Sequence, residues 1–208
     1  MEDNTLTISY PQIETDSRSQ DLLKDYNEYL DTLNVYTECE ELFLETDSLN
    51  ELPSNLSKFE KLSRVNISGG RFWSLKVDVL PQSVTYLDLS DHSNLNSNFY
   101  QDIDKHLPNL KKLLLPAETF GFEFFEISTF FAQPPFQYPK ANGVLPFLPS
   151  LSSIVLSCGY PHQNTSMFTR EYILSHPFLL NYKDRVQSVI VLHEIDTTKY
   201  IVTFFNKT

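Results

Sequence analysis

Among the 208 residues, the side chains able to do chemistry are five histidines, two cysteines and a run of carboxylates near the N-terminal end. Cys158, His162 and His176 come nearest to a ligand set, but their C-x3-H-x13-H spacing lacks the close second pair that a zinc site draws on. Glu38, Glu40, Glu41, Glu45 and Asp47 cluster within ten residues. Acid–base work needs two such groups with different pKa values, and no apolar pocket in the pattern separates these five; a solvated acidic rim is the simpler reading. Gly69-Gly70 is an isolated pair, with no Lys-Ser/Thr after a G-x4-G frame to cradle a phosphate. No serine lies in a G-x-S-x-G context. The sequence therefore predicts a protein with no catalytic residues, no metal and no cofactor, whose function rests on its surface.

The elements that carry this surface are visible from residue 39 onward. Cys39, Leu42, Leu44, Leu49, Leu52, Leu56 and Phe59 fall at offsets 0, 3, 5, 10, 13, 17 and 20, a spacing of neither a strand nor a helix. It suits a coil: Leu42 and Leu44 on a short strand, Leu52-Pro53 in a turn, Leu56 and Phe59 on the way back. A single coil cannot bury its own apolar side, so it requires neighbours of its own kind. Leu62, Val65 and Ile67 repeat the first positions after 23 residues, Val84, Leu87 and Leu89 after 22 more, and Leu110, Leu113 and Leu115 after 26. Leu151, Ile154 and Leu156 follow after 41 residues, and Val186, Val189 and Val191 after another 35.

This pattern resembles the leucine-rich-repeat superfamily, L-x-x-L-x-L-x-x-N/C-x-L, over roughly residues 37–194. The resemblance implies an α/β solenoid of about six parallel strands, with the second members of the alternation lining a concave face. The superfamily's asparagine position holds Asp47, Gly70, His92, Glu118, Gly159 and Glu194 instead, so an irregular turn is expected where each strand ends. The resemblance speaks to architecture and not to function.

Three domain segments follow. Residues 1–36 hold an arm and a helix whose face (Leu22, Leu23, Tyr26, Tyr29, Leu30, Leu33) is expected to cap the first coil beneath Leu42 and Leu44. Residues 37–194 form the solenoid, with a short helix ended by Pro108 on the third return path and insertions at 117–147 and 160–185. The second insertion holds a short helix from Thr169 that Pro177 terminates. Residues 195–208 supply a C-terminal capping strand, closing a hairpin through Asp196-Thr197-Thr198-Lys199. The insertion at 117–147 contains eight of the 16 phenylalanines, which either fold back over the solenoid or form a surface for a partner.

The net charge of −11 is uneven: residues 1–60 carry 15 Asp/Glu against three Lys/Arg, and residues 61–208 carry 12 against 13. Phosphate binding needs the opposite sign, which argues against nucleic acid and anionic membranes. No 18-residue apolar run offers a spanning helix, and the polar start lacks the order of a secretory signal, so a cytoplasmic protein is expected. Cys39 and Cys158 lie four repeat strands apart, roughly 19 Å at strand spacing, and are expected to be buried thiols rather than a bridge.

Alternation along the strands then names the candidate partner-binding side chains. Glu41, Phe43 and Glu45 come from the first repeat strand, Arg64 and Asn66 from the second, Tyr86 and Asp88 from the third, Lys112 and Leu114 from the fourth, Val155 from the fifth and Ile190 from the sixth. Phe124, Phe125, Phe130 and Phe131 of the first insertion complete the set. The expected function is a non-catalytic protein–protein interaction module whose partner is another protein. The alternative is a structural subunit of a multiprotein particle such as a virion shell.

Overall fold

Each repeat strand is too short to hold a sheet alone, and the fold answers this by stacking the strands in register. The architecture is that of a computed structural model, which describes residues 4–9, 24, 27–28, 30–32, 36–45, 52–69, 76–91, 102–116, 144–158, 170–193 and 198–205. The strands are β1 (Thr5–Ser9), β2 (Glu41–Glu45), β3 (Arg64–Ser68), β4 (Tyr86–Asp88), β5 (Lys112–Pro116), β6 (Ser153–Cys158), β7 (Val186–His193) and β8 (Thr198–Phe204). Among the described residues they form one eight-stranded sheet in the order β1-β2-β3-β4-β5-β6-β8-β7, with β1 and β7 at its edges. The pairs from β1 to β6 are parallel, and β8 is antiparallel to both of its neighbours. The protein is thus an α/β structure with a mostly parallel sheet and few helices.

The expected pairs lie side by side. Leu42 is in register with Val65, Val65 with Leu87, Leu87 with Leu113 and Leu113 with Ile154, and all are at most 1% exposed. Return segments close the other side of the core. Short 3-10 turns at Ser54–Lys58 and Val77–Val79 and helix α1 (Ile103–His106) bring in Leu56, Phe59, Val77, Leu80, Ile103 and Leu107, all buried. Each fully buried leucine contributes about 1.5–3 kcal/mol.

A second repeat, made of backbone, runs along the strand starts. The carbonyl of Asn4 accepts from the N–H groups of Glu40 and Glu41, that of Glu40 from Ser63 and Arg64, and that of Ser63 from Thr85 and Tyr86. The series continues from Thr85 to Lys111 and Lys112, and from Lys111 to Ser152 and Ser153. Side-chain hydroxyls reinforce it: Thr85 Oγ1 donates to the Ser63 carbonyl at 3.3 Å and Ser152 Oγ to that of Lys111 at 2.9 Å. Backbone pairs and Ser/Thr hydroxyls thus satisfy the edge where the strands begin.

The two ends depart from expectation. The first part of the N-terminal arm is itself a strand, and β1 occupies the outer edge of β2, with Ile8 opposite Leu44. The helical residues that follow, including the fully buried Leu30, reach the return side instead: Asn55 N–H donates to Asn27 Oδ1 at 3.2 Å, and Lys58 pairs with Asp31 at 2.8 Å. An edge with free N–H and C=O groups is better satisfied by a strand than by a helix laid across it.

At the other end Val189 and Val191 run in the expected sense but not beside Ile154 and Leu156. Strand β8 intervenes, with Val202 next to Ile154 and Tyr200 next to Leu156. The inner face of β8 carries the larger side chains, Tyr200, Val202 and Phe204, all buried, whereas Val191 on β7 is 37% exposed. Strand β8 of the expected capping segment is therefore an interior strand of the sheet, and residues 195–197 and 206–208 lie outside the described residues. The chain reaches β7 through α2 (Arg170–Ser175) and a 3-10 stretch at Pro177–Arg185, with His176 Nδ1 accepting from Phe178 N–H at its start.

That stretch also anchors residues 144–148, which have no regular hydrogen bonding of their own. Leu145 N–H donates to the Phe178 carbonyl at 3.0 Å and Asn181 Nδ2 to that of Leu145 at 2.8 Å. Tyr182 Oη accepts from Leu148 N–H at 2.7 Å and donates to the Pro146 carbonyl at 2.8 Å. The Tyr182 ring is fully buried between Phe147 and Phe204, with centroids at 5.9 and 4.7 Å. Arg185, 5% exposed, donates through Nε and Nη2 to the Phe205 carbonyl at 3.2 and 2.9 Å and lies 4.9 Å from the Phe147 ring centroid.

Candidate functional site

The face of the sheet opposite the core is where side chains are free to act. Register brings Glu41, Arg64, Tyr86 and Lys112 into one row across β2, β3, β4 and β5. Neighbouring strands stand about 4.8 Å apart, so these side chains touch in sequence. Arg64 Nε is 2.7 Å from Glu41 Oε1, and the same guanidinium lies 4.5 Å from the Tyr86 ring centroid. On the other side of that ring, along the row, Lys112 Nζ is 5.4 Å from the centroid. One aromatic ring is flanked by two cations, of which Arg64 is matched by a carboxylate. Lys112 has no ion pair among the described residues.

Tyr86 is held from below as well. Its hydroxyl donates to Asp88 Oδ2 at 3.3 Å, and Asp88 Oδ1 accepts from Ser90 N–H at 3.0 Å and Ser90 Oγ at 2.7 Å. Burial, then the Asp88 charge, holds the Tyr86 phenol above its ordinary value, so it stays neutral and a donor at physiological pH. These contacts orient Tyr86 before any partner arrives.

Of the residues named from sequence, Glu41, Phe43, Glu45, Arg64, Asn66, Tyr86 and Lys112 come together on this face, and Phe43 is 38% exposed. Asp88, Leu114 and Val155 share it but are 8%, 9% and 3% exposed, so they offer little to a partner. For Asp88 the reason is its role as acceptor for Tyr86 and Ser90. Leu114 and Val155 are neighbours in the middle of the sheet, in one row with Asp88 and Ile201. Ile190 is exposed on the same face but one strand further out than expected, because Ile201 of β8 takes the place beside Val155. Phe124, Phe125, Phe130 and Phe131 lie outside the described residues.

Sequence reasoning missed Thr7 of β1 and Ile201 and Thr203 of β8, which extend the face at both ends. The alternation of KYIVTF marks β8 as a strand; its place between β6 and β7 leaves no local signal. Among the described residues no group of three or more His, Cys, Asp or Glu stands together, and no helix is long and apolar enough to cross a membrane. Cys39 is buried, donates to the Glu41 carbonyl at 3.2 Å, and burial pushes its thiol up. Comparison with protein-family models, with curated proteins and with solved structures finds no match.

Proposed function

We propose that this chain is a non-catalytic protein–protein interaction module, an irregular leucine-rich-repeat solenoid that binds another protein through the sheet face opposite its core. The repeat reading is supported by the parallel, in-register succession from β2 to β6, with a short return turn or helix between strands at the shorter spacings. The observation that carries the functional reading is the row Glu41–Arg64–Tyr86–Lys112, held together by an ion pair and two cation–aromatic contacts on a surface the core does not use.

Arginine and aromatic side chains dominate interface hot spots, and side chains already fixed lose little entropy on binding. Lys112 suits an acidic group of the partner, and Phe43 an apolar one. Acidic groups around β2 steer association, and the phenylalanines of residues 117–147 add a second contact. The protein acts in the cytoplasm, without nucleic acid and without membrane insertion.

Cross-linking mass spectrometry on material from the native source identifies the partner and its footprint. Tyr86→Ala and Lys112→Glu are then expected to weaken association at least tenfold, about 1.4 kcal/mol, with the fold intact. Unchanged affinity in both variants would refute the open-face reading. Cross-links spread over the whole surface would favour the second reading, a structural subunit held inside a larger particle.

A further inference from the structure

Among the described residues nothing pairs with the outer edge of β7, which makes it a second candidate surface. On the face away from the core, Ile190 and Leu192 are 49% and 43% exposed, and on the core face Val191 is 37% exposed. The same core-face row reads Leu156, Tyr200, Val191 across β6, β8 and β7, and the first two are 1% and 2% exposed. Val191 is equally apolar, and among the described residues no strand follows it. The core thus runs out sideways at β7 instead of being closed by a polar side chain.

Edge strands are commonly protected by prolines, inward-pointing charges or short length. β7 is VQSVIVLH, eight residues with no proline and no Lys, Arg, Asp or Glu. Its one irregularity, a register shift between Val186 and Ser188, lies at the beginning and leaves the run from Ser188 to His193 in regular pairing with β8. Such a strand is a template for a further strand.

Charge selects the occupant. Of the acid-rich residues 1–60, Glu38, Glu40, Glu41 and Glu45 stand in or just before β2, while residues 61–208 are nearly balanced. Copies of a chain with a net charge of −11 repel each other most where the acidic ends meet, and least at the opposite edge. That edge is β7, six strand spacings from β2. A basic partner would be drawn to the acidic end and not to this uncharged strand. We propose that β7 pairs antiparallel with β7 of a second copy of this chain, joining two sheets into one across a two-fold axis. The two β2 strands then stand about 60 Å apart at about 4.8 Å per strand, against a screening length of about 8 Å. Isologous pairing uses up the β7 edge of both copies, so this contact joins two copies and no more.

The test is sedimentation velocity on the full chain from low micromolar to near-millimolar concentration at physiological ionic strength. The expected result is a reversible shift from monomer to dimer, and a loss of the dimer in Ile190→Lys/Leu192→Lys, which sets like charges against each other. Mixing that variant with Ile190→Glu/Leu192→Glu is expected to restore a dimer containing one of each. Amide hydrogen exchange on the unmodified chain gives an answer that needs no variant: protection within β7 rises with protein concentration. A monomer at every concentration, a dimer undiminished in the lysine variant, or β7 exchange independent of concentration would each overturn the proposal. It rests on β7 alone and is independent of what binds the row around Tyr86.

Discussion

Tyr182→Phe removes one oxygen from the buried junction between residues 144–148 and the 3-10 stretch before β7, and the structure sets the cost. That oxygen accepts from Leu148 N–H and donates to the Pro146 carbonyl, and the ring around it is fully buried. Phenylalanine keeps the ring contacts and leaves the buried Leu148 N–H and the part-buried Pro146 carbonyl without this partner. Leaving a buried group unsatisfied costs about 1–3 kcal/mol, so the pair comes to about 2–4 kcal/mol after partial relaxation. For a chain of this length 1 kcal/mol moves the midpoint by about 2–4 °C, so a loss near 3 kcal/mol lowers Tm by about 6–12 °C.

The same oxygen gives a pH signature. Burial, the largest cause, pushes the Tyr182 phenol up from 10.0 to about 12. Between those values the unfolded chain has released the proton and the folded chain has kept it, so the folded state binds more protons and stability falls as pH rises. The contribution is complete below pH 10 and is lost through pH 12, on the order of 2–3 kcal/mol. Phenylalanine has no such loss. The stability difference between the parent and Tyr182→Phe, measured by urea unfolding at a series of pH values, is therefore expected to be largest near neutrality and to shrink steeply between pH 10 and 12. A difference below about 1 kcal/mol at pH 7, or one that does not narrow over that range, would refute the assignment of Tyr182 as the buried tie.

Other outcomes follow from the same geometry. Leu87→Ala, at a fully buried inner position of β4, is expected to cost about 2–5 kcal/mol in chemical denaturation, and a cost no greater than that of a surface change would contradict the core. Arg185→Met keeps an apolar stem against Phe147 but leaves the Phe205 carbonyl without its two side-chain donors; a loss of about 2 kcal/mol in thermal unfolding is expected. Glu41→Lys with Glu45→Lys is expected to slow partner association in a salt-dependent way with little change in dissociation rate, which stopped-flow measurement across ionic strengths would check.

Much of the fold was legible because it is periodic. A recurring pair such as Leu42/Leu44 or Val65/Ile67 fixes both the strand and the face it buries, and in-register stacking then follows from repetition. The row Glu41–Arg64–Tyr86–Lys112 could be read for the same reason, since one position per repeat names its members. Burial on the open face could not be read that way. Leu114 and Val155 occupy the same type of position as Phe43, yet they are 9% and 3% exposed against 38% for Phe43, a difference that local alternation does not carry.

The ends of the sheet were decided by tertiary structure alone. The sequence marks β7 and β8 as two strands joined by a short turn, and it marks Val189 and Val191 as apolar positions. Which strand docks on β6 depends on how well each inner face fills the remaining core, and Tyr200, Val202 and Phe204 fill it better than the two valines. Residues 5–9 likewise show too little pattern to announce a strand; β1 forms because β2 presents an unpaired edge in need of one. Tyr182 and Arg185 belong to the same class, since the groups they satisfy lie 20 or more residues away. Local sequence determines which residues turn inward, but unpaired edges and unfilled core volume are properties of the assembled chain, and they choose the neighbours.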